Sequence, residues 1–228
     1  MPSNLSAATL NDYGLLTSAA IKSGVASIVG YAFYNCISLT SIEIPNSVTS
    51  IGEKVFYNCT SLSSVTIPNS VTSIGEDVFY YCTSLSSVTI GNNVTSISNF
   101  TFYYCTSLTS IEIPNSVTSI GKNAFYNCTS LSSVTIPNSV TSIGGSAFYN
   151  CSNLINVTIP NSVTSIDNYA FSNCKYLSSI TVNATTPPTI GKNVFNASKC
   201  PIYVPTQSVD AYKSAWTDYA SRIQAIPT

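Results

Sequence analysis

The chain has 228 residues, of which 44% are hydrophobic and only 7% charged, and its net charge is −1. Eight scattered Lys and Arg residues are too few to neutralise a run of phosphates, which argues against nucleic acid as a partner and against a polybasic membrane anchor. Histidine is absent, which removes the commonest general base, the commonest zinc ligand and the Ser/His and Cys/His nucleophile pairs.

The opening residues, MPSNLSAATL, lack the basic and apolar regions of a signal peptide. No apolar run approaches the roughly 20 residues that a membrane helix requires. An exported protein of this kind would therefore be represented here by its mature part. From Val25 onward the sequence repeats every 23 residues. Cys36, Cys59, Cys82, Cys105, Cys128, Cys151 and Cys174 form one column, and Phe33 through Phe171, Leu39 through Leu177 and Ile28 through Ile166 form three more. Stepping back by the same interval puts Leu10 under Phe33, Leu16 under Leu39 and Ile21 under Ile44. Residues 1–23 thus read as a degenerate N-terminal capping coil.

Residues 24–182 hold seven units of the form L-x-x-(I/V)-x-I-P-N-x-V-x-x-I-G-x-x-(A/V)-F-Y-N-C. Leu62, Val65 and Ile67 have the L-x-x-L-x-L spacing of a leucine-rich repeat. Val65 and Ile67 alternate with Ser64 and Thr66, the pattern of a short strand with one buried face, and Pro68 and Asn69 end it. The segment VTSI predicts a second short extended piece, and GEDVFYYC one helical or 3-10 turn. A propeller blade needs about 40 residues, so the period points to the coil of a solenoid. About seven side chains per coil face inward, such as Val48, Ile51, Val55, Phe56, Leu62, Val65 and Ile67. They cannot offset the entropy of ordering a whole coil, so each coil must share its apolar faces with its neighbours.

Residues 183–228 leave the register. Ile190 and Phe195 fall one residue late, and CPIYVP reads as a last strand. Ser208 is placed to cap a helix over SVDAYKSAWTDYASRI, in which Tyr212, Trp216 and Tyr219 share one face. The expected fold is an α/β repeat: a right-handed leucine-rich-repeat solenoid with short strands, 3-10 or helical turns and a C-terminal capping helix, all one domain.

The stretch LTSIEIPNSVTSIGKNAFYNCTSL closely resembles the BspA-like leucine-rich repeats of bacterial surface proteins, which also occur in some parasitic protists. The resemblance runs from Val25 to about Val182, and the tail PPTIGKNVFNASKCPIYVPTQSVDAYKSAW is similar to the end of such proteins from gut commensals. It implies a cell-surface or secreted location and adhesion to host matrix proteins, epithelium or other bacteria, and it brings no catalytic residues. In one respect the chain departs from the general leucine-rich pattern. Asn69 follows Leu62 by seven residues and comes after a proline, so the column from Asn46 to Asn161 is expected at the turn corner rather than in a buried ladder.

Several columns are candidates for function. The outward strand positions Glu43, Thr66, Thr89, Glu112, Thr135, Thr158 and Thr181, flanked by Ser41 through Ser179, are expected to form a concave sheet suited to binding. Glu43 and Glu112 interrupt the Thr rank that an ice-binding solenoid would need. Tyr34, Tyr57, Tyr80, Tyr103, Tyr126 and Tyr149 follow each core Phe, and Tyr81 and Tyr104 double the aromatic in two adjacent coils. These tyrosines either cover the turn or serve as a binding anchor. The periodic cysteines are expected as buried free thiols, with Cys200, outside the register, the exposed one. Neither C-x-x-C nor His is present, so no metal or cofactor is expected. The carboxylates Glu53, Glu76 and Asp77 fall at turns without partners, which argues against an enzyme. The reading is a monomeric binding protein whose partner is a protein or glycan on host or neighbouring cells. A passive spacer displaying another domain stands as the alternative.

Overall fold

The computed structural model describes residues 3–5 and 15–227. It is a β-solenoid of about nine turns. Each coil contributes two short strands, each paired in parallel with a strand of a neighbouring coil, so that the two sets form several short sheets along the solenoid. In the longer set Ser64–Thr66 pairs with Ser87–Thr89, Ser110–Glu112 with Ser133–Thr135, and Asn156–Ile159 with Ser179–Val182. In the shorter set Ser50–Ile51 pairs with Ser73–Ile74, and Ser119–Ile120 with Ser142–Ile143. The expected extended piece in VTSI is this second strand. Its offset becomes 24 where Ile166 meets Ile190, so the one-residue slip is taken up between the coils without loss of pairing.

The expected helical or 3-10 turn within the repeat does not form. Local bonds from Tyr80 N–H to the Asp77 carbonyl (3.2 Å) and from Cys82 N–H to the Phe79 carbonyl (3.1 Å) begin turns. Asp77 and Tyr81, however, have φ of 58° and 59°, in the left-handed region, which breaks any helix. Their amides turn instead to the next coil: Asp77 N–H donates to Asn99, Phe79 N–H to Thr101 and Tyr81 N–H to Tyr103, at 2.8–3.1 Å. The turn segment is therefore a third ladder between coils. Asn suits its left-handed sites, and in two pairs of successive coils the side chains bond as well, Asn58 Nδ2 donating to Asn35 Oδ1 at 3.0 Å and Asn150 Nδ2 to Asn127 Oδ1. The prolyl Asn column (Asn46, Asn69, Asn92, Asn115, Asn138, Asn161) is exposed at the corner after the first strand.

All seven side chains expected inside a coil are buried, from Val48 to Ile67. The Phe column from Phe33 to Phe195 is a continuous stack with centroids 5.0–5.8 Å apart. All eight cysteines are free and buried. From Cys59 to Cys174 each thiol donates to the carbonyl of the Phe three residues before the preceding Cys, as Cys105 does to Phe79 at 3.2 Å. The expectation that Cys200 is exposed is corrected: it is 8% accessible, covered by Ser198 and by Arg222, whose Nε donates to the Cys200 carbonyl at 2.9 Å.

At the N-terminal side, Ser3–Leu5 pairs with Val25–Ile28, and Ser18–Ala20 with Ser41–Glu43. Ile21 is buried and Leu16 packs half-buried against the core, whereas the expected place of Leu10 lies outside the described residues. At the other side Ile202–Val204 is a strand but not the last one, because Ile223–Ala225 pairs beyond it. The single long helix expected after Ser208 is instead helix α1 (Val209–Ala215) followed by a 3-10 segment (Thr217–Arg222). Ser208 does not cap it; its hydroxyl donates to Thr185 at 2.8 Å. The break at Trp216 lets three aromatic groups reach different parts of the last coil. Tyr212 donates to the Ala184 carbonyl (2.8 Å) and Trp216 Nε1 to the Pro188 carbonyl (2.9 Å), and the Tyr219 hydroxyl accepts from Phe195 N–H. All three are buried.

Truncating the middle of the aromatic stack should be costly. Phe102→Ala removes a fully buried ring and leaves Phe79 and Phe125 without a shared neighbour, so it should lower unfolding free energy by about 3–5 kcal/mol in a urea titration. The thiols give a pH signature. Burial pushes Cys36 up to about 11 and Cys82 and Cys174 up to about 12, and it raises the remaining column members too. In the unfolded chain a thiol ionises at about 8.5. Above that value the unfolded state binds fewer protons than the folded one, so stability falls as pH rises. Unfolding free energy should therefore be level below about pH 8 and drop steeply between about pH 9 and 11. Iodoacetamide at pH 8 should leave the column unmodified until denaturant is added, read by mass spectrometry.

Candidate functional site

The strand face and the aromatic patch occupy different segments of the coil. On the strand face the inward Val or Ile of each strand anchors it to the core and holds its two neighbours outward. Glu43, Thr66, Thr89, Glu112, Thr135 and Thr158 are all exposed, whereas Thr181 is half-buried. Pairing puts Thr66 opposite Thr89, Glu112 opposite Thr135 and Thr158 opposite Thr181, so these positions form one rank across the coils. The rank continues as Tyr203 and Gln224 in the added strands.

This rank differs from the other threonine column. Thr49, Thr72, Thr118, Thr141 and Thr164 each donate to a carbonyl of the coil below, at 3.1–3.4 Å. Half-buried serines such as Ser70 and Ser139 donate likewise, at 2.6 Å. Among the described residues the side chains of Thr66, Thr89, Glu112, Thr135 and Thr158 have no hydrogen-bond partner within the chain, so their donors and acceptors face outward. The arrangement offers hydroxyls and two carboxylates at a regular spacing of about 4.8 Å, a surface for polar contacts.

The tyrosines stack as the phenylalanines do. Tyr34, Tyr57, Tyr80, Tyr103, Tyr126 and Tyr149 form one half-buried column with centroids 4.4–4.9 Å apart. Tyr81 and Tyr104 stack on one another at 4.7 Å and lean against the main column, Tyr81 tilted 50° from Tyr80 and Tyr104 tilted 44° from Tyr103. Sequence reasoning missed Phe100, whose ring sits 5.7 Å from Tyr103 and 6.4 Å from Tyr80 on the other flank. It occupies the left-handed place held by Asp77 and Asn123 in neighbouring coils. An aromatic at this place, which Tyr31 and Tyr169 also hold in distant coils, was the available signal.

Burial, reinforced by adjacent hydroxyls, pushes Tyr80 well up from its usual range, and Tyr57, Tyr103 and Tyr126 are raised for the same first reason. These four tyrosines therefore stay protonated through physiological pH. Asp77, partly buried beside it, is also raised, mainly by burial with Lys54 opposing. Lys54 itself reaches across the coil below, its Nζ 5.5 Å from the Tyr31 ring centre.

No helix among the described residues is long and apolar enough to cross a membrane. The profile of the BspA type leucine-rich repeat region matches residues 4–105 and 95–210, in six copies. A comparison with curated proteins found no match. Among solved structures, a leucine-rich repeat protein from Bacteroides ovatus is 30% identical with a TM-score of 0.67, over 82% of this chain and 55% of that one. The chain thus spans about half the length of that relative. The T. pallidum leucine-rich repeat protein TpLRR is 25% identical (TM-score 0.59) over 93% of this chain and 87% of that one. The pneumococcal vaccine antigen PcpA, at 18% identity and a TM-score of 0.52 over 93% and 68%, shares the fold. With its repeats matched along most of their length, this chain belongs to the BspA-type leucine-rich repeat family.

Proposed function

We propose that the chain is a non-catalytic binding protein displayed at the cell surface or secreted, an adhesin that contacts host matrix proteins, glycans or other cells. The face that does so is the outward rank of the longer strands, on the concave side of a right-handed solenoid, the hand that parallel crossovers favour. Residues 24–182 form the array in this reading. Residues 1–23 act as its N-terminal cap, and residues 183–228, with Tyr212, Trp216 and Tyr219 over Phe195, as its C-terminal cap. Caps of this kind keep the open ends of a solenoid core from water.

The observation that carries the reading is the unengaged rank of Thr66, Thr89, Glu112, Thr135 and Thr158 beside hydroxyl columns that are engaged in holding coils together. Groups that hold the fold are satisfied by the fold, whereas these remain for a partner. Membership of a repeat family that works by binding supports it. The near-identity of the rank from coil to coil favours a passive spacer as the second reading, because a specific surface usually differs along its length.

Purified protein should bind saturably to one or more of fibronectin, fibrinogen and mucosal glycans at physiological salt in a surface-plasmon-resonance panel. Replacing Thr89, Glu112 and Thr135 together by Lys should weaken that binding by about tenfold or more while leaving the melting temperature within a few degrees. Full retention of binding by the folded triple variant would move the site off this face. A panel with no binder at all would favour the spacer.

A further inference from the structure

The aromatic patch at Tyr80–Tyr104 is built at a cost in backbone strain. Tyr81, Phe100 and Tyr104 have φ of 59°, 56° and 60°. The left-handed region disfavours a bulky side chain by about 1–2 kcal/mol per residue. At the places of Tyr81 and Tyr104, other coils use Asn35, Asn58, Asn127 and Asn150, the residue type that suits this conformation. Three strained aromatics therefore meet in two consecutive coils, whereas Tyr31 and Tyr169, at the place of Phe100 in distant coils, each stand with an Asn at the second left-handed site; strain of this kind is concentrated at functional sites.

Their rings shape the surface. Tyr80 and Tyr103 stack at 4.4 Å and form a floor, with the Tyr81/Tyr104 pair rising on one side at 44–50° and Phe100 on the other at 48–59°. Tyr81 is 36% exposed. Because the floor rings cover each other's faces, what they offer a ligand is edges and hydroxyls, spaced along the solenoid axis. A flat sugar ring seeking an open aromatic face is poorly served. Successive steps of 4.4 and 4.8 Å, from Tyr80 to Tyr103 and on to Tyr126, together match one turn of a polyproline II helix, about 9.3 Å. The two-residue repeat of an extended strand, about 6.7 Å, falls out of step.

The border is acidic on the Tyr80 side, where Glu76 and Asp77 stand with Glu53 and Lys54 one coil below, whereas Lys122, in the column of Glu76, lies on the Tyr126 side. Asp77 stands one coil below Phe100 in the same column and feels the Tyr57 hydroxyl electrostatically. Lys54 is drawn toward the Tyr31 hydroxyl, at 3.5 Å. Stacked aromatics lined by carboxylates complement a ligand that is apolar, preformed and positively charged.

We propose that this aromatic trough is a docking site for a basic, proline-rich peptide segment in the polyproline II conformation. Prolines sit over every second tyrosine step, the tyrosine hydroxyls donate to the peptide carbonyls that such a helix leaves unpaired, and its Arg or Lys residues meet Glu76 and Asp77. The inference deepens the binding role proposed above and rests on it, but it uses a different surface, so the two can fail separately.

The test titrates the full chain, by isothermal calorimetry, with a peptide of two arginines followed by nine prolines. It uses the double variant Tyr81→Asn/Tyr104→Asn, which installs the residue that other coils use at these sites and should fold at least as well. Saturable binding is expected, weakened about tenfold or more in the double variant. The affinity should be unchanged by Thr89→Ala/Glu112→Ala/Thr135→Ala on the strand face. A peptide with Gly and Ser alternating in place of the prolines should bind at least about tenfold more weakly, because it must first be ordered. The proposal is overturned by absence of binding, by equal binding of the Gly/Ser peptide, or by undiminished binding in the double variant with its melting temperature intact. It is also overturned if a chitin oligosaccharide, and not the proline peptide, binds in a Tyr81-dependent way.

Discussion

Everything in this molecule depends on the hydrogen-bonded stacking of one coil on the next at the spacing of paired strands, about 4.8 Å. Three ladders impose it: the longer strands, the short second strands, and the turn segment whose left-handed residues aim alternate amides at the following coil. Once that spacing is fixed, any side chain at a given place in the coil meets its own kind above and below. Phe rings then fall at 5.0–5.8 Å and Tyr rings at 4.4–4.9 Å, within the range at which aromatic groups stack favourably. A thiol meets the same Phe carbonyl in every coil. The repeat is therefore a consequence of the ladder: a change in one member of a column is felt by two neighbours.

The same constraint sorts polar residues into two kinds. Hydroxyls beside the ladders, at Ser70, Thr72 or Thr118, donate to the coil below and act as further rungs. The side chains of Thr66, Thr89, Glu112, Thr135 and Thr158 on the outer side of the longer strands have no such partner, and they form a surface whose period is set by the backbone. The proposed binding role rests on this division more than on any single residue. At the far end the chain leaves the period, and the buried rings of Tyr212, Trp216 and Tyr219 meet Phe195, where another Phe would otherwise stack.

Much of the fold was legible in the sequence because the period is long, regular and written in residue types that have one physical role. The columns of Phe, Leu, Ile and Cys named the core, and the alternation around Val65 named the strand and its outward face. Legibility failed where conformation rather than hydrophobicity decides. GEDVFYYC has the length and the residues of a helical turn, and only the left-handed geometry at Asp77 and Tyr81, set by bonding to the next coil, prevents one. The Asn before each Cys was the hint, since Asn tolerates that geometry better than most residues. Cys200 misled because departure from register was equated with exposure, whereas Arg222, 22 residues further along, folds back over it. The helix after Ser208 was overextended for a similar reason: Tyr212 and Trp216 bond to carbonyls that are far away in sequence, Ala184 and Pro188, and the backbone breaks at Trp216 to allow it. For the candidate site, the sequence indicated which residues face outward, but not that Phe100 joins Tyr80, Tyr81, Tyr103 and Tyr104.

The claim that stacking register governs the whole molecule is tested most directly by excising chain from the middle of the array. Removing the 23 residues Val94–Ser116 joins Asn93 to Val117 and restores every column, whereas removing 20 residues, Val94–Ile113, misaligns all of them. Equilibrium urea unfolding of the two shortened chains is the measurement. The in-register deletion should unfold in one cooperative transition with a midpoint close to that of the parent chain, and the out-of-register deletion should lose that transition or split it in two. Equal stability of the two would contradict the account, because the coils would then be holding themselves up without their neighbours.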